Sequence, residues 1–226
     1  MRVILLGCEY SGTTTLGFRI QEWVHEVIGG HVNLVHDHFK IPYTFGHDPE
    51  YSTTPVEATP DELEAYMKLS PRQMEALQRH NIAYHVAAIP GMDDKVVIGL
   101  HWEDTIYGDI YFDYSRKRGY VQAMDRKLLN AVPDIVLCHV KASPEVIRQR
   151  MLDNPHPYGV LKESDIEMVQ ARFEEEISYS LLRHQITLDT STATIEETMA
   201  EFVQKIEPHL TDTDRMRIVL QSAKKT

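Results

Sequence analysis

Short apolar runs rich in valine, isoleucine and leucine recur along the chain and alternate with segments of helical periodicity. The runs are Arg2–Cys8, Val32–Phe39, Lys95–Trp102, Asp134–Lys141 and Gln185–Asp189. Runs of this length favour strands that are buried on both faces of a sheet. Their alternation with amphipathic helices predicts successive β-α-β units. We therefore expect a mainly parallel, five-stranded sheet covered by helices on both faces, a three-layer α/β/α arrangement.

Several predicted helices have recognisable starts. Thr59-Pro60-Asp61-Glu62 has the spacing of a capping box with proline in the first turn. Similar starts occur at Ser143-Pro144-Glu145, Lys162-Glu163-Ser164-Asp165 and Thr194-Ile195-Glu196-Glu197. A longer helical pattern covers Ser70–Ile89. The helix assignments therefore depend on local capping chemistry as well as on periodicity.

The length of the chain favours one domain. Its 226 residues, of which 42% are hydrophobic, can bury one sizeable core. We expect that domain over residues 1–210, followed by a C-terminal helix and basic tail over 211–226. Ligands of parallel sheets bind beyond the carboxyl ends of the strands. At that edge, an insert at about 40–90 is a candidate acceptor-binding segment and the Pro-rich residues 153–162 are a candidate lid, with ordinary surface loops as the alternative.

Charge and cysteine content narrow the classes of partner. The formal net charge is −11, which argues against non-specific binding to nucleic acid or to an anionic membrane, because both reward a basic surface. An anionic ligand must then be held by local groups. Cys8 and Cys138 both lie in apolar runs, which favours buried reduced thiols in a cytoplasmic protein. The opening run Met1–Gly7 is too short for a signal peptide's apolar core or a membrane span.

The first apolar run leads into a glycine-bearing loop that opens a predicted helix. Its residues are Gly7, Cys8, Glu9, Tyr10, Ser11, Gly12, Thr13, Thr14 and Thr15. Gly7 and Gly12 have the separation of the pattern G-x-x-x-x-G-K-[ST], whose backbone N–H groups surround phosphate oxygens. Thr14 stands at the position of the Mg²⁺-binding hydroxyl, whereas Thr13 replaces the lysine. We predict a phosphate-binding loop; a tight strand–helix turn is the alternative.

This loop resembles that of the thymidylate kinase and deoxynucleoside kinase group of P-loop kinases, which commonly reads G-x-E-G-x-G-K-[ST]-T. The chain fits that string except at Tyr10 and Thr13. Pro133–Met151 looks like the group's strand, Ser-Pro-Glu turn and arginine-bearing helix before the lid. The resemblance implies a P-loop NTPase-like fold and a nucleoside or nucleotide kinase that uses ATP and Mg²⁺ on a small-molecule acceptor. A homodimer is left open as its assembly.

The same resemblance suggests cations that could replace the lysine. A P-loop lysine supplies positive charge to the β- and γ-phosphates, so its loss should weaken catalysis more than binding. In such kinases, lid arginines reach the transferred phosphoryl group. The resemblance implies this role for Arg148 or Arg150, with Arg172 on the next helix as a further candidate. A charge on a solvated helix face is the alternative for each arginine.

A pair of carboxylates follows the third apolar run. The kinase group carries Asp-Arg or Glu-Arg at the end of its third strand, whereas this run ends Ile98-Gly99-Leu100-His101-Trp102-Glu103-Asp104. Glu103 is the preferred general base, because a carboxylate at the carboxyl end of a strand faces the phosphate loop. Asp104 is the second candidate, with helix capping as its alternative role.

Candidates for binding the acceptor lie in two places. Asp37 and His38 follow the second strand, where the kinase group meets its acceptor. Arg79 and Tyr84 lie on the long helical stretch, which lines the acceptor pocket in those kinases. Core packing is an equally good interpretation of Tyr84, and a structural role is an alternative for the histidine.

Two other functional classes stay open. Ser11–Leu16 also resembles the loop Lys-Ser-Gly-Thr-Thr-x-Leu of sulfotransferases that use phosphoadenosyl phosphosulfate (PAPS), in which Thr13 is expected. Those enzymes also carry an arginine at a strand end and a serine about eight residues later, where this chain has Lys141 and Gln149. The third hypothesis is a non-catalytic nucleotide-binding protein, because Thr13 and residues 99–100 replace catalytic residues of the kinase group.

Overall fold

The sheet is parallel and is centred on the first strand. The structure, a computed structural model, describes residues 1–32, 35–37, 59–88, 94–156 and 159–225. The strands within these ranges are β1 (Arg2–Leu6), β2 (Val35–Asp37), β3 (Lys95–Ile98), β4 (Val136–Lys141) and β5 (His184–Asp189). They pair in the order β2-β3-β1-β4-β5, and every pair is parallel. The predicted parallel α/β architecture is confirmed.

Helices connect the strands and cover the sheet. They are α1 (Thr13–Trp23), α2 (Pro60–Met67), α3 (Pro71–Ala88), α4 (His101–Tyr111), α5 (Tyr120–Ala131), α6 (Pro144–Asp153), α7 (Ile166–Ser178), α8 (Ile195–Ile206) and α9 (Asp212–Lys224). A π-helical turn, Val24–Ile28, extends α1, and 3₁₀ turns lie at Glu163–Asp165 and Glu207–His209. No helix of the described ranges combines the length and apolar character needed to cross a lipid bilayer.

Two apolar clusters pack on opposite faces of the sheet, because successive side chains of a strand point to opposite sides. Ile4 of β1 belongs to the cluster that contains Trp102 of α4. Leu5 belongs to the cluster that contains Leu16 of α1 and Phe202 of α8. All of these side chains are fully buried. The helices on each face therefore hold the carboxyl ends of the strands in fixed positions.

The third apolar run differs from its prediction. The strand stops at Ile98, and the chain turns through Gly99 and Leu100, which both have positive φ, at 78° and 58°. Helix α4 then begins at His101, so Glu103 lies in the first turn of a helix and not at a strand end. The run was misassigned because Trp102 is buried on the helix, and hydrophobicity alone does not separate a buried strand from a buried helix start.

The predicted helix caps are mostly confirmed. Thr59 and Thr194 form complete capping boxes, and the Ser143 side chain accepts a hydrogen bond from the first turn of α6. The start predicted at Lys162–Asp165 is a 3₁₀ turn instead, and α7 begins at Ile166. Short Ser and Thr side chains fix a helix start because they satisfy N–H groups that lack intrahelical partners.

Helix α9 is attached to the sheet by an ion pair that makes a testable contribution to stability. Arg217 donates to both carboxylate oxygens of Asp94, at 3.1 and 2.6 Å, and the Asp94 side chain is buried. Burial alone would raise the pKa of Asp94, but bonds from Arg217 and the N-terminal amino group outweigh it, so the pKa is lowered. The stability this pairing gives is present above the ordinary pKa of the carboxyl group and is lost as the pH falls.

An R217M variant should therefore lose about 1–3 kcal/mol of unfolding free energy at pH 7, because Asp94 keeps its charge in a buried place. The loss should shrink as the pH falls below the ordinary carboxyl value towards the lowered pKa of Asp94, because the ion pair is lost when that carboxylate takes up a proton. Urea unfolding at pH 7 and at successively lower pH values measures both effects. R215M is the matched control on the same helix, because Arg215 pairs with the exposed Glu207 and should change stability by less than about 0.5 kcal/mol. Equal losses in the two variants would contradict the prediction.

Candidate functional site

The loop between β1 and α1 favours glycine at two positions, for lack of space at Gly7 and for its backbone conformation at Gly12. A Cβ atom at Gly7 would lie 2.3 Å from the Val140 carbonyl oxygen and 2.5 Å from Ser11 Oγ. Gly12 has a φ of 98°, which glycine adopts without strain. The loop closes by a 3.0 Å hydrogen bond from the Ser11 N–H to the Cys8 carbonyl. Both glycines are therefore required by the geometry of the turn.

The same turn presents the groups that bind anions. Helix α1 begins at Thr13, and the first N–H groups of any helix have no intrahelical acceptor. The positive end of the helix dipole lies there as well, and the first turn of α1 carries no acidic residue. Within the described residues, the buried hydroxyl of Ser11 has no hydrogen-bond partner. These features fit a phosphate group bound in the loop.

Arg150 of α6 is the cation that reaches this loop. Its Nη1 donates to the Tyr10 carbonyl at 2.8 Å and to Thr190 Oγ1 at 3.0 Å, and its Nη2 donates to the Thr190 carbonyl at 2.8 Å. These acceptors are neutral, and no carboxylate of the described residues pairs with the guanidinium. Nη1 lies 3.8 Å from the point where a Cβ of Gly12 would be. Burial lowers the pKa of Arg150, which nevertheless stays cationic because an arginine pKa is so high.

Thr190, directly after β5, connects the loop to Arg150. It was not among the site residues predicted from the sequence. Its hydroxyl donates to the Ser11 carbonyl at 2.8 Å and it is buried. Its N–H donates to the Lys141 carbonyl at the end of β4. The carboxyl ends of β4 and β5 therefore fix the loop and Arg150 together. The signal for Thr190 was weak, because nothing in Thr190-Ser191-Thr192 distinguishes it from an ordinary polar turn.

A cavity of about 690 Å³ opens beside the phosphate loop. Because β3 and β4 flank β1, residues after β3 lie on one side of the loop and residues after β4 and β5 lie on the other. The β3 side is aromatic and aliphatic, and it is lined by Leu63, Tyr66, Met67, Tyr107 and Phe112. The other side is lined by Arg150, Asp153, Asn154, Thr190, Ala193 and Ile195. The two sides of this one cavity therefore differ in their lining.

Glu103 lines the cavity together with Glu9 and the phosphate loop. It is almost fully buried, and a Cβ at Gly99 would lie 2.0 Å from its Oε2. The Glu9 N–H donates to the Tyr107 hydroxyl at 3.1 Å, which joins α4 to the loop. Burial raises the pKa of the Cys8 thiol, and the charges of Glu9 and Glu103 raise it further. The two carboxylates therefore act on the same small region, and Cys8 is a protonated thiol.

Comparison with known proteins identifies the fold. No family model matches the chain, and no curated protein sequence matches it. Deoxyadenosine kinase from M. mycoides with bound dATP superposes with a TM-score of 0.58 at 14% identity, covering 92% of this chain and 100% of the kinase. The chain has a P-loop kinase fold.

Two further solved structures share this kinase fold. YorR protein from Bacillus subtilis, in complex with phosphorylated GDP, has a TM-score of 0.55 at 15% identity, with 92% of this chain and 99% of YorR covered. Thymidylate kinase from Candida albicans has a TM-score of 0.51 at 14% identity, with 93% and 95% covered. The nucleoside and nucleotide kinases are thus similar to this chain over nearly its whole length.

Two arginines that the sequence placed near the phosphates lie elsewhere in the kinase fold. Arg148 pairs with Glu167 and lies 3.9 Å from Glu163. Arg172 makes contacts of 3.4 to 3.5 Å with acidic groups, which are Asp109, Glu175 and Glu176. Neither arginine lines the cavity. The structure brings only Arg150 of the three to the phosphate loop.

Asp104 points away from the cavity into an ionic cluster. Arg116 donates to both of its carboxylate oxygens, at 2.6 and 3.0 Å, and the Tyr114 hydroxyl donates at 2.8 Å. Arg116 also pairs with Glu75 of α3. Leu100, not Asp104, is the N-cap of α4. Asp104 therefore neither serves as the predicted cap nor lines the cavity; it joins α3, α4 and the segment before α5.

The candidates for the acceptor are placed less fully. Asp37 ends β2, at the carboxyl edge of the sheet. His38 lies outside the described residues, and Tyr84 lies within α3. Arg79 is exposed on α3, where it pairs with Glu75 at 3.3 Å. Binding of the acceptor by these residues stays a prediction.

Proposed function

We propose that the protein is a phosphotransferase that binds a nucleoside triphosphate at Gly7–Thr15 and transfers its terminal phosphoryl group to a hydroxyl of a small acceptor. The observation that carries the proposal is the guanidinium of Arg150, which no carboxylate of the described residues neutralises, against a glycine-fixed anion site in a cavity that also contains the buried carboxylate of Glu103. Phosphoryl transfer depends mainly on positioning and on neutralising charge, and these groups serve both needs.

Arg150 takes the part of the missing lysine in this proposal. A guanidinium presents several N–H donors in a plane, which suits phosphate oxygens. Its bonds to Tyr10 and Thr190 fix it before any ligand arrives, so little reorganisation is needed on binding. Thr13, in the lysine's place, lines the same cavity.

The residues present also fit Mg²⁺. This ion prefers hard oxygen ligands and binds through one or two protein groups together with substrate phosphates. Thr14, in the first turn of α1, lines the cavity, and its hydroxyl would hold the ion together with the phosphate oxygens. When bound, Mg²⁺ neutralises charge on the phosphate oxygens.

Glu103 is the proposed general base. Its carboxylate would take the proton of the acceptor hydroxyl while that oxygen forms its bond to the terminal phosphorus and the nucleoside diphosphate leaves. Its burial keeps water from competing for that position.

The acceptor that the β3 side suits is a nucleoside or a similar planar alcohol. Its walls include aromatic Tyr66, Tyr107 and Phe112, which can pack on a planar ring. Arg116, the nearby arginine of the described ranges, is already neutralised by Asp104 and Glu75, and its side chain is only 8% exposed. A phosphate on the acceptor would therefore meet Glu9 and Glu103 rather than an available cation.

Thermal unfolding with and without ligands tests the proposal. ATP with Mg²⁺, at a hundred times its dissociation constant, should add about 2.7 kcal/mol to the unfolding free energy. No shift with millimolar ATP or GTP would overturn the proposal. Adenosine 3′,5′-bisphosphate without metal is the comparison for the sulfotransferase alternative, and we expect no shift, because Lys141 is paired with Glu174. Binding of ATP without transfer to any of a panel of nucleosides would leave the non-catalytic alternative.

A further inference from the structure

The two loop residues Glu9 and Tyr10 contact the lid segment, which is defined here as the described residues 154–156 and 159–161. We infer that Glu9 and Tyr10 are positioning residues that hold this segment over the phosphate loop before any phosphate is bound. The contacts form within the chain and require no ligand, whereas their role in nucleotide entry rests on the proposed function.

Glu9 holds the C-terminal part of the lid segment by hydrogen bonds. Its Oε2 accepts the N–H of Val160 at 3.0 Å and the N–H of Leu161 at 2.7 Å. An ionised carboxylate that accepts two backbone N–H groups makes strong, charge-assisted hydrogen bonds. The Glu9 side chain is only 11% exposed, so water competes weakly for these bonds.

Tyr10 holds the N-terminal part of the lid segment. Its hydroxyl accepts the N–H of His156 at 2.9 Å, and its ring stacks on the His156 ring with 4.1 Å between centroids. Tyr10 has a φ of 66°, a conformation that bulky residues rarely adopt. A strained residue of this kind persists only where its surroundings hold it. Here the lid holds its side chain and Arg150 holds its carbonyl.

The Tyr10 contacts connect the lid segment to the proposed phosphate cation. The Tyr10 side chain accepts a hydrogen bond from His156, so movement of His156 would displace it. The Tyr10 carbonyl in turn accepts a hydrogen bond from Arg150, the proposed phosphate cation. Residues 153–162 contain no arginine that could close the lid on a phosphate. In the ligand-free protein, backbone N–H groups of the lid segment instead hold it to the loop, by donating hydrogen bonds to the side chains of Glu9 and Tyr10.

The test is amide hydrogen exchange in the ligand-free protein. We expect the amides of Val160 and Leu161 to be protected, and we expect E9Q to raise their exchange at least tenfold while the melting temperature stays nearly constant. Glutamine keeps the shape of the side chain but loses the charge that strengthens both bonds. Y10F should release the His156 amide alone, because it keeps the stacked ring and removes the hydroxyl acceptor.

E163Q is the matched control, because Glu163 is an exposed carboxylate just beyond the lid segment and lies 3.9 Å from Arg148 without contacting the lid amides of the described ranges. It should leave all three amides unchanged. Fast exchange of the Val160 and Leu161 amides in the wild type, or equal exchange in wild type and E9Q, would overturn the inference. Neither result depends on nucleotide, so the inference and the proposed function fail separately.

A second measurement tests the role in nucleotide entry. If the lid segment must open to admit the triphosphate, E9Q should raise the association rate of a fluorescent ATP analogue about tenfold, in parallel with the exchange rate. An unchanged association rate in a variant whose amides have been released would overturn that role.

Discussion

An R150M variant is expected to bind ATP on the order of 10- to 100-fold more weakly than the wild type and to lose about a hundredfold or more in kcat. A charge-assisted hydrogen bond to a phosphate contributes about 1.5–3 kcal/mol, which sets the first figure. The second follows because charge placed at the developing transition state is the largest single contribution to such reactions. Calorimetry with ATP and Mg²⁺ and a steady-state transfer assay measure the two losses.

R148M is the matched control for this change. Arg148 lies on the same helix but pairs with Glu167 outside the cavity, so its loss should leave ATP affinity within about twofold. Arg150 also supports the loop through its hydrogen bonds, so a rescue experiment is needed to separate the loss of its positive charge from the loss of that support. T13K in the R150M background should restore much of the affinity by returning a lysine to its usual place in the motif. If R148M and R150M weaken binding equally, Arg150 does not replace the lysine.

An E103Q variant should lose about 10²- to 10⁴-fold in kcat, the usual contribution of a positioned general base. Glutamine has the same shape and fits beside Gly99, so the fold and the metal-free affinity for nucleotide should change little. Single-turnover kinetics with ATP, Mg²⁺ and the best nucleoside acceptor measure the loss. D109N, on the exposed side of the same helix, is the control and should retain nearly full activity. An E103Q enzyme with wild-type kcat would assign the base elsewhere.

The parallel α/β architecture could be predicted from local chemistry. A buried strand such as Arg2–Leu6 is recognisable from its run of apolar residues, and Thr59 and Thr194 indicate helix starts because their side chains can accept hydrogen bonds from the first turn. The tight turn between β1 and α1 was predictable for the same reason, since the backbone geometry favours glycine at positions 7 and 12, which are close together in the chain.

The site beyond the loop depends on contacts between distant segments, which no local pattern encodes. Arg148 and Arg150 are two residues apart, so they lie about 200° apart around the helix, and the sequence does not say which one faces the loop. Glu103 was predicted to face the loop from the end of a strand, whereas it lines the cavity from the first turn of α4. The contact of Glu9 with Val160 and Leu161 uses main-chain N–H groups of the lid. Every residue other than proline has such a group, so the side chains at these positions do not indicate the contact.

The close approach of Gly99 to Glu103 has a use in searching for relatives. A Cβ at position 99 would collide with the Glu103 side chain, and the positive φ of 78° also favours glycine there, so a larger residue at 99 requires Glu103 to move or to be replaced. A chain that shares this site should carry glycine and glutamate four positions apart after its third strand, in place of the Asp-Arg or Glu-Arg pair. That spacing, combined with a threonine at the position where the usual motif has lysine, gives a sequence pattern with which relatives can be searched for.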